Sequence, residues 1–573
     1  MRTLYQTLMD SDVARLRVIA QQWGIALLAE RRADMAAELA EAMARAEAVE
    51  RAWEEMDPAP RAALEDLLRH AGAMPWAAFT RRWGRIRMVG PGRLEREALW
   101  QHPISPAEAL WYWGFLQRAP TIDATGTSVD MAFVPESLQL YLPAPPPLES
   151  PLPAATAPPL RIQAHADQLC DDLTVLLAYV QNHNIYPDGV GRWPEHHRQA
   201  LAGHLRAPGD AGLLLQSVAW ERGWLEVKER GGLHTVPGPV LSWLRAGRAE
   251  QWEVLARAWL ESQRWNDLAL VPTLLPDPVR GWPNDPLQTR RQVMELLRQC
   301  TPGVWYPLAG FIAHVHQHTP DFLRPHADYE AWNLRDALTE TSLRGFEAWH
   351  AVEGALLATL LTQPLAWLGI VDLGRASPLL APESFRVSAL GAALLTSAEV
   401  PTLPPPAPVA LEPGAIFAVP LGRRYEHFQL SRIAEWTGKS ADAYRYRLTS
   451  TSLTRARQQR IPLRRITEFL TEATGRSLPA ALRKAIERAY RQGGRAQLTQ
   501  VWVLRVKDPD LLDYEEVQEL LQERLGPRVA LVRDADVERL TTVLIQAGLL
   551  PDVEACFSFS ASAGDICERR ESP

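Results

Sequence analysis

Basic side chains are concentrated in two short segments of this sequence, and their chemistry suits phosphate oxygens. The first segment spans 16 residues with a single acid, Glu95, and its candidate phosphate-binding residues are Arg81, Arg82, Arg85, Arg87 and Arg93. The second spans 21 residues without an acid, and its candidates are Arg445, Arg447, Thr449, Ser452, Arg455, Arg457 and Arg460. Guanidinium groups supply charge and the hydroxyls supply hydrogen bonds, as contacts to a nucleic-acid backbone require. The pattern therefore predicts DNA binding by both segments.

The charge balance of the chain supports an anionic partner for one part of it. Residues 421–510 hold 19 Lys and Arg against 8 Asp and Glu, a net charge of +11, whereas the whole chain carries −7. Such a local asymmetry is typical of an electrostatic binding surface. Only four of the 61 basic residues are lysines. This bias indicates a GC-rich bacterial genome, so the clustering of the arginines is evidence and their identity is not.

Two alternatives to phosphate binding stay open. The arginines of either segment could form a solvated face that pairs with the acidic remainder of the chain. Tyr444 and Tyr446 could stack on bases or pack in the core.

The sequence contains no recognisable catalytic constellation, and we expect no catalytic residues, no metal and no cofactor. Thr437-Gly438-Lys439-Ser440 ends like a phosphate-binding loop, but Ile433 stands where the first glycine is needed and the preceding residues read as helix. His314, His316 and His318 lack the companion carboxylate of a zinc site. We interpret Glu195-His196-His197 in the same way, as no metal site. Histidines at a helix end are the simpler interpretation.

Bulk properties indicate a multi-domain protein without a membrane span. A length of 573 residues exceeds what one core usually holds. The sequence lacks a long apolar run and a secretory signal at its start. Cys170, Cys300, Cys556 and Cys567 form no CxxC pair, so a disulfide framework is not supported and we expect a cytoplasmic location.

Two proline-rich stretches predict linkers and hence the domain boundaries. The predicted division is a helical domain at 1–45, a winged-helix-like domain at 46–142, a linker at 143–159, a helical domain at 160–400, a linker at 401–413, an α+β domain at 414–553 and a tail at 554–573.

Local patterns predict a mostly α-helical fold with α+β parts and tandem winged-helix-like units. In the second domain, Asp57 and Pro58 are placed to start a helix, and residues 85–92 alternate like a basic hairpin. The 160–400 domain shows a weak repeat in which Trp224–Val227 and Trp367–Val371 each open a strand, loop, strand and helix. We interpret both copies as further winged-helix-like units.

The third block resembles the N-terminal domain of XPB-type DNA helicases. The resemblance rests on Ile433-Ala434-Glu435-Trp436, on Tyr446-Arg447-Leu448-Thr449-x-x-Ser452-Leu453-x-x-Ala456, and on Leu478-Pro479 before the strand at Val501. It covers about a quarter of the chain, and the remainder resembles bacterial helicase-associated domain proteins. In XPB-type enzymes two ATPase lobes follow this domain. Here the sequence ends at Pro573 without them, so the resemblance implies a DNA- or partner-engaging module, not unwinding.

These inferences predict a non-catalytic, DNA-binding accessory protein of helicase or DNA-repair systems, acting with a helicase or nuclease in trans. Two alternatives stay open: a scaffold that docks an acidic partner protein, and a cryptic nuclease.

Overall fold

A computed structural model describes residues 3–551 except 123–125, 127, 147–151, 156, 190, 208, 229–230, 325, 494–501, 548 and 550. The chain forms two compact units, Met1–Tyr490 and Arg491–Pro573. About half of the described residues are helical and the strands form several small antiparallel sheets, so the fold is mixed α and β. No helix in this described part is long and apolar enough to cross a membrane. The predicted tail at 554–573 lies outside the described residues.

The N-terminal part of the first unit packs helices against a three-stranded sheet of order β1-β3-β2. Its elements are α1 Leu4–Met9, α2 Val13–Gln22, α3 Arg32–Met43, α4 Ala46–Glu55, α5 Pro58–Arg69, β1 Ala73–Pro75, α6 Trp76–Trp83, α7 Pro91–Glu97, α8 Pro106–Trp113, β2 Gln117–Ile122, β3 Ser128–Phe133 and α9 Glu136–Gln139. One apolar core extends from Leu4 to Leu138, across the predicted boundary at residue 45.

The helix start at Pro58 is confirmed, but the basic hairpin predicted at 85–92 is wrong. Residues 84–90 are irregular, and α7 begins at Pro91. Buried Glu108 accepts hydrogen bonds from both the backbone and the guanidinium of Arg87, so this segment is tied to α8 instead of pairing with a strand. The observed hairpin is β2–β3, further along the chain.

The middle of the first unit is helical with small sheets. Its elements are β4 Arg161–Gln163, α10 Gln168–Asn182, α11 Glu195–His204, α12 Ala211–Glu221, β5 Leu225–Val227, β6 Leu233–Thr235, α13 Pro237–Arg245, α14 Arg248–Glu261, β7 Leu274–Leu275, α15 Pro286–Arg298, β8 Tyr306–Pro307, α16 Leu308–His318, β9 Arg335–Asp336, α17 Ala355–Thr362, α18 Pro364–Trp367, β10 Val371–Arg375, β11 Ser384–Val387 and α19 Ala389–Thr396. One sheet has the order β4-β10-β11-β8.

The predicted repeat of helix, strand, loop, strand and helix is confirmed in both copies. In the first copy α12 is followed by the β5–β6 hairpin and α13. In the second, α17 and α18 are followed by the β10–β11 hairpin and α19. The second hairpin begins at Val371 rather than Trp367, because Pro364 opens the extra helical turn α18.

The last part of the first unit joins a four-stranded sheet, of order β12-β13-β15-β14, to a run of helices. Its elements are β12 Ala410–Glu412, β13 Ile416–Pro420, α20 Arg424–Ile433, β14 Glu435–Lys439, β15 Ala443–Arg447, α21 Ser450–Gln458, α22 Leu463–Thr474 and α23 Ala480–Gln492. Apolar residues on one face predict a helix from Glu426 to Thr437, but α20 ends at Ile433. Residues 435–439 form β14 because they pair with β15.

The second unit holds a three-stranded sheet of order β16-β18-β17. Its elements are β16 Trp502–Arg505, α24 Glu515–Gln518, β17 Leu521–Gly526, β18 Val529–Val532 and α25 Val537–Gln546. The apolar runs at 501–506 and 529–532 predict strands, and both are confirmed within the described residues. The sequence also predicts a helix from Tyr514 to Leu525, but α24 ends at Gln518, because residues 521–526 pair with β18. The predicted domain at 414–553 therefore spans both units.

A buried ion cluster connects α20 to the middle part of the first unit. Arg424 is fully buried, and its guanidinium donates to Asp167 at 2.6 Å, to Asp171 at 3.1 Å and to Gln251 at 2.6 Å. Burial alone would raise the pKa of Asp167, but hydrogen bonds from Arg248 and the charge of Arg424 bring it below its ordinary value. Burial raises the pKa of Asp171 despite the same arginine. The apolar core likewise extends from Leu169 to Ile486, across the predicted linker at 401–413.

We expect Arg424→Met to destabilise the first unit by about 3–5 kcal/mol, because it leaves buried carboxylates without their shared cation. Urea unfolding followed by tryptophan fluorescence measures this loss. Arg423→Met is the matched control, since the neighbouring Arg423 is partly exposed and pairs with Glu426 at the surface. Equal losses for the two variants would contradict the importance of the buried cluster.

Candidate nucleic-acid interface

The arginines of the first basic segment are mostly paired with acids of the same unit. Their ion pairs are Arg81 with Asp321 at 2.6 Å, Arg82 with Asp66 at 3.2 Å, Arg87 with Glu108 at 2.7 Å and Arg93 with Glu97 at 2.9 Å. Arg85 is exposed and has no ion-pair partner within the described ranges. Most arginines of this segment therefore pair with acids of the chain, as the alternative to phosphate binding predicts.

Two of these pairs, of Arg87 and of Arg81, are at least half-buried and connect separate segments of the unit. Burial alone would raise the pKa of Glu108, but the Arg87 fork and the backbone N–H groups of Ile104 and Arg87 hold it below its ordinary value. Arg81 stacks over Phe346, 4.5 Å from the ring centroid, and pairs with Asp321 of the middle part. A guanidinium held on two sides in this way is positioned for cohesion of the unit.

The centre of the second basic segment is a helix cap. The Thr449 hydroxyl accepts from the Ser452 N–H at 3.0 Å, and the Ser452 hydroxyl accepts from the Thr449 N–H at 3.1 Å. Thr449 also donates to Glu435 at 2.8 Å, and Ser452 is fully buried. This reciprocal cap fixes where α21 starts, so both hydroxyls serve the fold.

The strand before this cap alternates between core and surface. Tyr444 and Tyr446 are buried and pack around His427, with ring centroids 4.3 and 5.5 Å away, so they belong to the core. Arg445 and Arg447 project from the opposite face of the sheet. Arg445 pairs with Glu412 at 3.1 Å, whereas Arg447 is exposed.

The arginines of α21 differ in their surroundings. Arg455 is partly buried and donates to the Ala434 carbonyl at 3.0 Å. Arg457 is exposed and donates to the Tyr490 carbonyl of α23 at 3.2 Å, which brings the ends of α21 and α23 together. Arg460 is exposed in the loop after α21, in a left-handed backbone conformation with φ of +59°.

Further exposed basic side chains extend this region along α22 and α23. Residues 447–490 hold ten Lys and Arg but three acids, Glu468, Glu472 and Glu487. We define the basic helical surface by its exposed members Arg447, Arg457, Arg460, Arg464, Arg465, Arg483, Lys484 and Arg488. Arg464 pairs with Glu468 but is 88% exposed. Five of the eight were not among the predicted site residues: Arg464 and Arg465 on α22, and the three on α23. The position of the latter three opposite buried Ile486 is the amphipathic signal that could have identified them.

Comparison with known proteins identifies one family for this region. Residues 415–528 match the model of the helicase conserved C-terminal domain. No curated protein matches the chain. The match covers about a fifth of the chain, includes the whole basic helical surface and continues into the second unit. It supports a helicase association for this segment.

The other motifs considered in the sequence have structural roles. The fragment that ends like a phosphate-binding loop lies in β14, and Lys439 donates to the Leu205 carbonyl. His314 and His318 stack on each other, while His316 stacks on Phe346. Within the described residues no group of three or more His, Cys, Asp or Glu side chains could hold a metal ion.

We expect His427 to make the stability of the first unit depend on pH. Burial lowers its pKa to about 3, and the charges of Arg206 and His204 act in the same direction. The unfolded chain binds a proton near pH 6.5, so the stabilisation is complete above that pH and is lost as the pH falls towards 3. His427 changes the free energy of unfolding by at most ~1.4 kcal/mol per pH unit.

The measurement compares wild type with His427→Phe in urea unfolding at several pH values. Buried Asp171 and Asp172 contribute a slope of opposite sign, but they are present in both proteins and cancel in the difference. The free-energy difference between the two proteins should change steadily between pH 6.5 and 4. A constant difference would contradict this expectation, because it would show that the pKa of His427 is the same in the folded and unfolded states.

Proposed function

We propose that this protein is a non-catalytic, DNA-binding accessory factor of a helicase or repair system, and that it binds DNA through the basic helical surface. The observation that carries the proposal is the clustering of exposed basic side chains on α21–α23 within the segment that matches a helicase domain. A helicase or nuclease acting in trans would supply the chemistry.

The electrostatics of the surface favour backbone contacts. Arg460, Arg465 and Lys484 are exposed and make no ion pair with the described residues, so their binding to phosphates breaks no internal pair. Each phosphate that such a side chain neutralises releases condensed counterions, which drives association without regard to sequence. The paired arginines of the first basic segment would have to give up Asp66, Asp321 or Glu108 first.

We further propose that two parts of the chain are winged-helix-like units that serve for packing rather than for base reading. Strand orders β1-β3-β2 and β8-β11-β10 share one connectivity, with a first strand paired to the last strand of a hairpin. In a DNA-reading unit of this kind the helix before the hairpin enters the major groove. Here those helices are α8 and the α17–α18 pair, which carry no Lys, Arg or His and are largely buried.

DNA binding should therefore be weakened by Arg460→Gln, Arg465→Gln and Lys484→Gln in combination. We expect a loss of about tenfold or more in affinity for a duplex at ~50 mM salt, to a similar extent for unrelated sequences. The matched control is Arg31→Gln, Arg32→Gln and Arg51→Gln, which removes the same charge from exposed positions of the N-terminal part. Fluorescence anisotropy with labelled duplexes measures both.

Two outcomes would contradict the proposal. One is an equal loss of DNA affinity in the control triple variant, which would show that the net charge of the protein, and not this surface, determines binding. The other is displacement of DNA by polyglutamate at equal charge concentration, which would favour an acidic protein partner for the same surface.

A further inference from the structure

A row of aromatic and imidazole rings lies beside the sheet that supports the basic helical surface. We define the ring row as Trp436, His204, Tyr179, His183, His197 and His196. Successive centroids are 4.7 Å apart from Trp436 to His204, 6.1 Å from His204 to Tyr179 and 3.9 Å from Tyr179 to His183. The row continues at 5.8 Å from Tyr179 to His197 and 4.2 Å from His197 to His196. It thus combines rings of α10, α11 and β14.

Contacts with buried neighbours fix the orientation of the rings, and some of the rings are exposed to solvent. Tyr179 is buried and stacks on His183, and its hydroxyl lies 2.9 Å from Nδ1 of His197. The His183 ring is further fixed by a contact of 2.8 Å between its Nδ1 and the Tyr179 carbonyl. His183 and His196 are exposed, whereas His197, His204 and Trp436 are half-buried. Ordered rings with one open face can accept further stacking at little conformational cost.

Strand β14 links the ring row to the basic helical surface. At its start, Arg455 of α21 donates to the carbonyl of Ala434, the residue before β14. At its end, Lys439 donates to the carbonyl of Leu205, the residue after His204. Five residues of strand span about 13–16 Å, so a ligand chain leaving α21 can reach the rings along this strand.

The charges around the row are compatible with a polyanion. Glu195 lies beside His196 but is paired with Arg198, and Lys439 and Arg206 lie at the end nearest β14. Metal coordination does not account for the histidines, because within the described part of the chain no three such side chains could hold an ion.

We propose that the ring row is a stacking platform for unpaired bases, so that the DNA bound by this protein includes a single-stranded segment. The proposal rests on the proposed DNA binding and adds its substrate class. Duplex DNA keeps its bases stacked inside the helix and cannot offer their faces to these rings, whereas every base of a single strand can. The basic helical surface would hold the backbone and the ring row would hold the bases.

The test uses the full chain and two labelled ligands, an oligothymidine of about 20 nucleotides and a duplex of the same length, in fluorescence anisotropy at fixed salt. His183→Ala with His196→Ala should weaken oligothymidine binding by about tenfold or more and leave duplex binding unchanged. The matched control His102→Ala removes an exposed imidazole elsewhere in the first unit and should change neither. His183→Phe with His196→Phe should retain oligothymidine binding, because phenyl rings stack but carry no charge.

Two results would contradict the proposed stacking platform: unchanged oligothymidine binding by the alanine variant, or an equal loss of affinity for both ligands. Loss of binding in the phenylalanine variant as well would assign the effect to imidazole charge and would also overturn it. If the wild-type protein binds the duplex and the substitutions of Arg460, Arg465 and Lys484 weaken that binding, the proposed DNA binding is supported independently of the ring variants. Binding of neither ligand by wild type would overturn both proposals.

Discussion

The buried guanidinium of Arg424 is the interaction on which the arrangement of the first unit depends. It lies between Asp167 and Asp171 on one side and Gln251 on another, so α20 is fixed against α10 and α14. Asp171 also accepts the backbone N–H of Gly422 at 2.8 Å, which fixes the turn before α20. An ion cluster of this kind contributes little net stability compared with an apolar core, but it tolerates no missing partner. It therefore specifies one position for the sheet of β12–β15 and, through that sheet, for α21.

The two basic segments of this protein differ in what their arginines contact, although they contain the same residue type. The arginines near residue 81 and those near residue 445 look alike in sequence. In the structure, Arg81 and Arg87 are held by acids and rings of their own unit, whereas the exposed side chains of α22 and α23 face solvent. The net negative charge of the chain opposes non-specific contact with anions, so the proposed DNA binding depends on the local charge of the basic helical surface. The proposed role of the ring row adds stacking to these charge contacts.

Local signals in the sequence predicted the local elements. Pro58 opens a helix, and Gly231 and Gly232 lie in the turn of the β5–β6 hairpin, because caps and turns depend on neighbouring residues. The start of α21 differs from the prediction: the sequence offers Thr451 or Ser452 as the N-cap, whereas Thr449 is the N-cap and Ser452 is its partner in the capping box. Pairings between distant residues could not be predicted in this way. Residues 435–439 became a strand through pairing with β15, and residues 85–90 were held by Glu108 of α8. The ring row combines α10, α11 and β14, so only the folded chain shows it.

We propose that exposed basic side chains of α21–α23 bind DNA by neutralising phosphates. The most direct measurement is the dependence of the DNA-binding constant of the wild-type protein on salt concentration. A linear fall of log K against log salt, with a slope of about −0.9 for each phosphate neutralised and hence of magnitude near 3 or more, is the predicted result. A binding constant that hardly changes between ~50 and ~200 mM salt would contradict the account.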